Sequence, residues 1–233
     1  MIRGFYASKL GMIAQQNNLN TIANNVANIN TVGFKPQNTA FSALLYENID
    51  GGGGVEISTG HGVKVQKIGI DFTQGFLKPT GRTLDCAIEG PGFFAIQNRE
   101  TNTTTYTRDG VFHISVEGEQ NFLVDARGNY VLGQDGNTIN ITDGFDATTL
   151  GVFAFDNPYG LTLLGNNQFA VSDLSGQPEA DAQSTIRTGY LESSATDSAT
   201  EMVKMLESNR AFSFNSRIVQ STDEMEKTVN QLR

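Results

Sequence analysis

The chain has 233 residues, 25 of them glycine, a formal net charge of −9 and an apolar fraction of 38%, which fits a folded protein and not a wholly disordered one. Acidity without any Lys/Arg cluster excludes a phosphate-gripping nucleic-acid surface, and one cysteine with two histidines excludes a disulfide framework and the common zinc motifs. No apolar run approaches the ~20 residues needed to span a bilayer, and the N-terminus lacks the continuous apolar core of a cleavable secretory signal.

Glycine and charge divide the chain in three. Residues 1–50 hold three glycines and residues 192–233 hold none, while 51–191 carry the other 22 and a charge of −8. The expected organisation is an N-terminal helix with a connecting segment (1–50), a β-rich middle (51–191) and a C-terminal helix (192–233). The fold class is α+β, with the terminal helices forming a coiled-coil or bundle core and the middle an antiparallel β domain.

In the first arm Phe5, Met12, Leu19 and Val26 recur every seven residues, and Ile22 and Ile29 add the intermediate positions. That is an a/d seam, clean in its second half because Ser8 and Gln15 are polar. Periodicity alone does not separate it from an amphipathic helix lying on its own domain. The intervening asparagines are poor helix formers, because their side chains compete for nearby backbone groups. The segment is therefore expected to become a firm helix only against a partner. Asn30-Thr31-Val32-Gly33-Phe34-Lys35-Pro36 closes it, with Gly33 suited to a left-handed C-terminal cap and Pro36 forcing Lys35 out of the helical region. Thr39–Tyr46 reads as a short helix or extended chain, and Asp50-Gly51-Gly52-Gly53-Gly54 as a flexible link.

The middle alternates short apolar runs with turn residues. Candidate strands are Val63–Ile70, Leu84–Ile88, Phe93–Ile96, Thr105–Thr107, Val111–Val116, Phe122–Val124, Tyr130–Leu132, Gly151–Phe155 and Phe169–Val171. In the second arm, helical from Ser198, Met202, Met205, Phe212 and Val219 form a stripe that Ile218, Met225, Val229 and Leu232 continue. Its cap is Thr196, Asp197 or Ser198. A helix of about 35 residues suits a bundle or coiled coil better than a packed globular core.

Catalytic chemistry finds little footing. Gly90-Pro91-Gly92-Phe93-Phe94-Ala95 nominally matches a dinucleotide turn, but β-like sequence follows where a helix must start. Asp125–Asn129 has the composition of a hairpin turn and lacks the carboxylate spacing of a calcium loop. The pairs Glu117/Glu119 and Asp143/Asp146 read as solvated charge, His113 as a strand-face residue, and Cys86 as a small apolar group in a β core. The reading is non-enzymatic, with no cofactor, metal or catalytic residue.

The run Ile22-Ala23-Asn24-Asn25-Val26-Ala27-Asn28-Ile29-Asn30-Thr31-Val32-Gly33-Phe34-Lys35 resembles the N-terminal signature of the bacterial flagellar axial proteins, the rod and hook family. Leu84-Asp85-Cys86-Ala87-Ile88-Glu89-Gly90-Pro91-Gly92-Phe93-Phe94 and Tyr106-Thr107-Arg108-Asp109-Gly110 resemble its internal motifs. Leu191-Glu192, Glu201-Met202-Val203, Arg210-Ala211-Phe212 and Asp223-Glu224-Met225 resemble its C-terminal region, although Ala195-Thr196 departs from the usual Asn-Val. Thr59–Val63 and Phe72–Gly75 point to a rod member with a single β domain.

The resemblance implies a structural subunit of the basal-body rod, polymerising through its terminal helices into a helical tube that transmits torque and forms the export channel. It implies partners in copies of itself, in other rod and hook subunits and in the type III export apparatus, with export by a route that uses no cleaved signal. It marks Asn28, Thr31, Gly33, Phe34 and Lys35 as a signature turn. The apolar residues of the two arms become an assembly seam. The competing reading is a secreted carbohydrate-binding protein or hydrolase whose helical termini dimerise.

Overall fold

A computed structural model describes residues 2–50, 56–118, 120–141 and 144–232. The described chain contains two long helices, α1 (Ile2–Ala27) and α2 (Ser198–Gln231), with only strands and short 3-10 turns between them. It separates into two compact units. The glycine run read as a link falls on residues outside the described set.

The first unit combines 1–27, 37–70 and 197–233. The segment left open between helix and strand is extended: β1 (Gln37–Ala43) pairs antiparallel with β4 (Val63–Ile70), and β2 (Tyr46–Asp50) with β3 (Glu56–Gly60). A bulge between Ala40 and Phe41 bends the outer ladder. α1 packs on both β1 and β4 and runs antiparallel to α2. α2 starts at Asp197, whose carboxylate accepts from Thr200 N (3.0 Å) and from the Thr200 hydroxyl. Those hydrogen bonds hold the Asp197 carboxyl below its ordinary pKa.

The second unit, 28–36 with 71–196, is all β. Its strands are β5 (Leu77–Pro79), β6 (Cys86–Glu89), β7 (Phe93–Gln97), β8 (Thr104–Thr107), β9 (His113–Glu117), β10 (Gln120–Val124), β11 (Tyr130–Val131), β12 (Val152–Ala154), β13 (Thr162–Gly165), β14 (Gln168–Ala170), β15 (Glu179–Ala180), β16 (Thr185–Thr188) and β17 (Tyr190–Glu192). All pairings are antiparallel, and the main path runs β13-β14-β8-β7-β11-β10-β9, with β12 joining β7 and β15.

β7 is the hub. Phe93-Phe94-Ala95-Ile96 is apolar at every position because both of its faces are covered, and β8, β11 and β12 all bond to it. Phe94 and Ile96 join Cys86, Ile88, Phe112, Leu123, Val131 and Leu150 in the main core. On the opposite face Phe93 meets Phe72, Phe155 and Phe169 edge-on, with centroids 5.6–5.8 Å apart. The Gly90-Pro91-Gly92 turn therefore feeds a strand, and the dinucleotide reading fails on geometry. Asp125 accepts from Arg127 N and Asn129 N and closes the β10–β11 hairpin around Gly128 (φ +85°). Cys86 is buried, and desolvation with Asp85 beside it pushes its thiol up to about 12, so it stays an unreactive core group. Gly110 permits no side chain: a Cβ there would lie 1.6 Å from Cys86 O.

Phe94 is fully enclosed and touches Phe112 edge-on at 5.2 Å. Phe94→Ala is expected to lower unfolding stability by about 3–5 kcal/mol, measured by denaturant titration of the whole chain. A loss of only a few tenths would place the core elsewhere.

Candidate assembly site

Helix α1 stops at Ala27, so Ile29 lies outside it, half-buried in the turn Asn28–Asn30. Gly33 does take the left-handed conformation (φ +64°), but it is not the cap of α1, which ended six residues earlier. It is glycine because a Cβ would sit 2.5 Å from Arg108 O. The signature turn is internally bonded: Thr31 N and the Thr31 hydroxyl both donate to Asn28, and Phe34 N donates to Thr31 O. It is then pinned to the strand β17 and the stretch after it, Gly33 N donating to Glu192 O (2.8 Å) and Ala195 N to Phe34 O (3.2 Å).

That pinning delivers Lys35 to a buried ionic node. Lys35 Nζ donates to Glu192 Oε1 at 2.6 Å and to Thr73 O at 2.8 Å. Gly75 N donates to the same carboxylate oxygen, and Arg108 Nη1 reaches Glu192 Oε2 at 3.4 Å. Arg108 also donates to Gly90 O and lies over the Phe93 ring, 5.0 Å from its centroid. Two cations share one carboxylate out of water. Burial lowers the pKa of both Lys35 and Arg108, and Glu192 opposes the shift.

The first unit has its own polar node. Asn25, 1% exposed, donates to Gln37 O and to Glu201 Oε2, and accepts from Gln37 N. Lys204 Nζ donates to the other Glu201 oxygen at 2.6 Å. Seven residues along each helix, Asn18 Nδ2 donates to Ser208 Oγ at 2.7 Å. Seven further, Asn215 fills the space left by Gly11, where a Cβ would lie 2.8 Å from Asn215 Nδ2. Along the seam that α2 turns to α1, polar rungs thus alternate with the half-buried Met205, Phe212 and Val219.

The apolar positions read from the sequence are arranged differently within the chain. On α1, Ile22 is buried, Met12, Leu19 and Val26 are half-buried, and Phe5 is exposed. On α2, Met205, Phe212 and Val219 are half-buried beside the polar row. Met202, Met225 and Val229 are exposed, as is Leu232 just past the end of α2. Val203, Leu206, Phe214 and Ile218 are exposed as well. The row Gly11, Asn18, Asn25 lies one residue round the helix from Met12, Leu19, Val26, and its signal was visible only as a second seven-residue spacing. No sequence signal announces that Lys35, Arg108 and Glu192 meet.

Three family profiles match in chain order: flagella basal body rod protein (residues 5–35), flagellar hook protein FlgE/F/G D1 domain (87–154) and flagellar basal body rod FlgEFG protein C-terminal (187–232). The flagellar basal-body rod protein FlgG of Bacillus subtilis is 32% identical over the full length of both chains. That of Borreliella burgdorferi is 34% identical over all of this chain and 99% of its own. The chain belongs to the flagellar basal-body rod protein family. The flagellar hook-basal body complex protein FlhP of B. subtilis is a more distant relative, 26% identical over both full lengths. The rod-family chain is a structural, non-enzymatic component of the flagellar basal body, and nothing in the comparisons favours a hydrolase or a carbohydrate-binding protein. The rod signature at 5–35 contributes Asn25 and Lys35, one residue to each node. No helix is long and apolar enough to cross a membrane among the described residues.

Glu192→Leu removes the shared carboxylate and strands two buried cations, so a stability loss of about 3–5 kcal/mol is expected in denaturant unfolding. A second expectation concerns pH. Between its lowered native pKa and its ordinary 10.5, Lys35 holds its proton in the unfolded chain and releases it in the native one. The unfolded state then binds more protons, so this residue makes stability rise with pH across that window. Lys35→Met should flatten the rise; equal slopes in both proteins would refute the assignment.

Proposed function

We propose that the chain polymerises through α1 and α2, with copies of itself and with other rod and hook subunits, into the helical tube that transmits torque and encloses an export channel. In this reading 1–50 and 192–233 supply the axial core in coiled-coil packing, and 51–191 form the β domain carried outside it. Export then proceeds through the type III apparatus without a cleaved signal. Phe5, Met12, Leu19, Ile22, Val26 and Ile29 and the α2 positions Met202, Met205, Phe212, Val219, Met225, Val229 and Leu232 meet in the assembled core.

The observation that carries the reading is an inversion along α2. Glu201, Ser208 and Thr222 are buried, while Met202, Val203, Leu206, Phe214, Ile218 and Met225 are exposed. Leaving so many apolar side chains in water forgoes roughly 1.5–3 kcal/mol for each that a partner would fully cover. Large apolar side chains left exposed in such number along one helix mark a protein contact. A repeated contact whose rotation does not close generates a helical filament.

Met202→Glu with Leu206→Glu alters exposed positions only, so the monomer should fold and unfold as before. Filament formation by the purified protein, followed by sedimentation and electron microscopy, should be lost. Normal filaments from this variant would refute the assembly role.

A further inference from the structure

Polar groups stand among the apolar ones inside the helix pair, and their spacing is informative. On α1 the positions 8, 11, 15, 18, 22 and 25 step 3, 4, 3, 4, 3, and on α2 the positions 201, 205, 208, 212, 215, 219 and 222 step 4, 3, 4, 3, 4, 3. All of them are buried or half-buried. The rows therefore have the spacing of a two-helix seam, yet Asn25/Glu201, Asn18/Ser208 and Gly11/Asn215 occupy successive rungs of it.

A purely apolar seam of this spacing is nearly indifferent to sliding by seven residues, which exchanges one apolar rung for another. These rungs are not interchangeable. In the observed alignment a large amide faces a carboxylate, a second amide faces a small hydroxyl, and a third fills the gap over a glycine. Sliding α2 one heptad in one direction sets Asn18 against Asn215, two amides in a space that holds one. Sliding it the other way sets Gly11 against Ser208, which leaves a void, and takes Glu201 away from Asn25. Asn25 itself cannot follow, because Gln37 N and Gln37 O hold its amide at the start of β1. Buried polar groups of this sort set register at some expense of stability.

We infer that Asn18, Asn25, Glu201, Ser208 and Asn215, with Gly11, form a register lock for the helix pair, fixing which apolar side chains of α1 and α2 are displayed together to a second copy. The inference rests on the assembly reading for that last clause and on intrachain geometry alone for the lock. The lock explains why polar rungs interrupt the inside of the pair: a wholly apolar seam would accept several alignments about equally well. It also separates two tasks on one helix. The seven-spaced polar row sets the alignment, and the apolar side chains around it remain available to neighbours.

The test measures register in the full chain. Spin labels at Lys9→Cys and Ala199→Cys, exposed sites offset along the antiparallel pair by 18 residues, or about 27 Å of helix rise, report the helix alignment by pulsed electron–electron resonance; Cys86 is buried and stays unlabelled. The otherwise unchanged chain and the conservative variant Glu201→Gln should each give one narrow distance. Glu201→Leu with Asn18→Leu and Asn215→Ala replaces the polar rungs and should add a second distance displaced by about 10 Å, one heptad of helix rise. If that triple variant loses helix by circular dichroism, Ser208→Ala with Asn215→Ala should produce the same second distance. A single unshifted distance in the replaced seam, or a broad distribution in the unchanged chain, would overturn the lock. Electron microscopy of the same samples separates the two readings. Two registers with ordinary filaments would leave the lock standing and remove its link to assembly.

Discussion

Glu192 is the group on which the organisation of the second unit depends. Its carboxylate accepts from Lys35, Gly75 and Arg108, and its main-chain oxygen accepts from Gly33. These partners come from the segment that leaves α1, from the loop before β5 and from the strand β8 edge. Glu192 stands five residues before the N-cap of α2, and Lys35 eight residues after the end of α1. One buried carboxylate thus fastens together the outgoing and returning chain, and both cations need it. Removing charges from water is costly unless each is paired and hydrogen-bonded, so this arrangement admits few substitutions. Its value is positional: an apolar cluster of the same volume could pack as well, but it would not dictate which backbone groups face one another.

The two units solve the burial problem in opposite ways. The β unit places Phe93, Phe94, Phe112 and Phe169 inside and turns its acids toward the backbone of tight turns, as at Asp125, Asp146 and Asp181. The helical unit encloses Asn25, Glu201 and Ser208 and leaves Phe214 and Leu206 outside. Such a surface is poorly suited to a free monomer and well suited to a subunit of a polymer. Of the acids paired on paper, Asp146 caps a 3-10 turn, and Glu117 accepts from the Tyr130 hydroxyl and pairs with Arg99; Glu119 and Asp143 lie outside the described residues.

The shift of the α1 seam by one residue shows what periodicity does and does not convey. Met12, Leu19 and Val26 and Gly11, Asn18 and Asn25 have the same spacing, and a hydrophobic reading selects the first row. The fold buries the second, because Asn25 and Asn18 find hydrogen-bond partners on α2 and Gly11 allows close approach. Likewise Gly33 signals a left-handed turn in either case, but its reason lies in Arg108, 75 positions away in the chain. Of the β1–β4 and β2–β3 ladders only β4 was legible as a strand, in the run Val63–Ile70, and β1 was left open between helix and extended chain; these strands are half-polar and draw their stability from each other and, for β1 and β4, from α1.

Local physics in the sequence was enough to determine the two glycine-poor helices, the many short antiparallel strands between them, the buried thiol, the turn at Asp125 and the absence of a helix after Gly92. Each follows from spacing, propensity or turn chemistry within a dozen residues, and the quoted motifs carried the family in the same way. Only the tertiary structure decided which heptad row faces inward and which three charged residues meet in one buried node. Those outcomes depend on pairings between residues 84 to 204 positions apart, where a polar side chain is stable inside only if its partner is there to meet it.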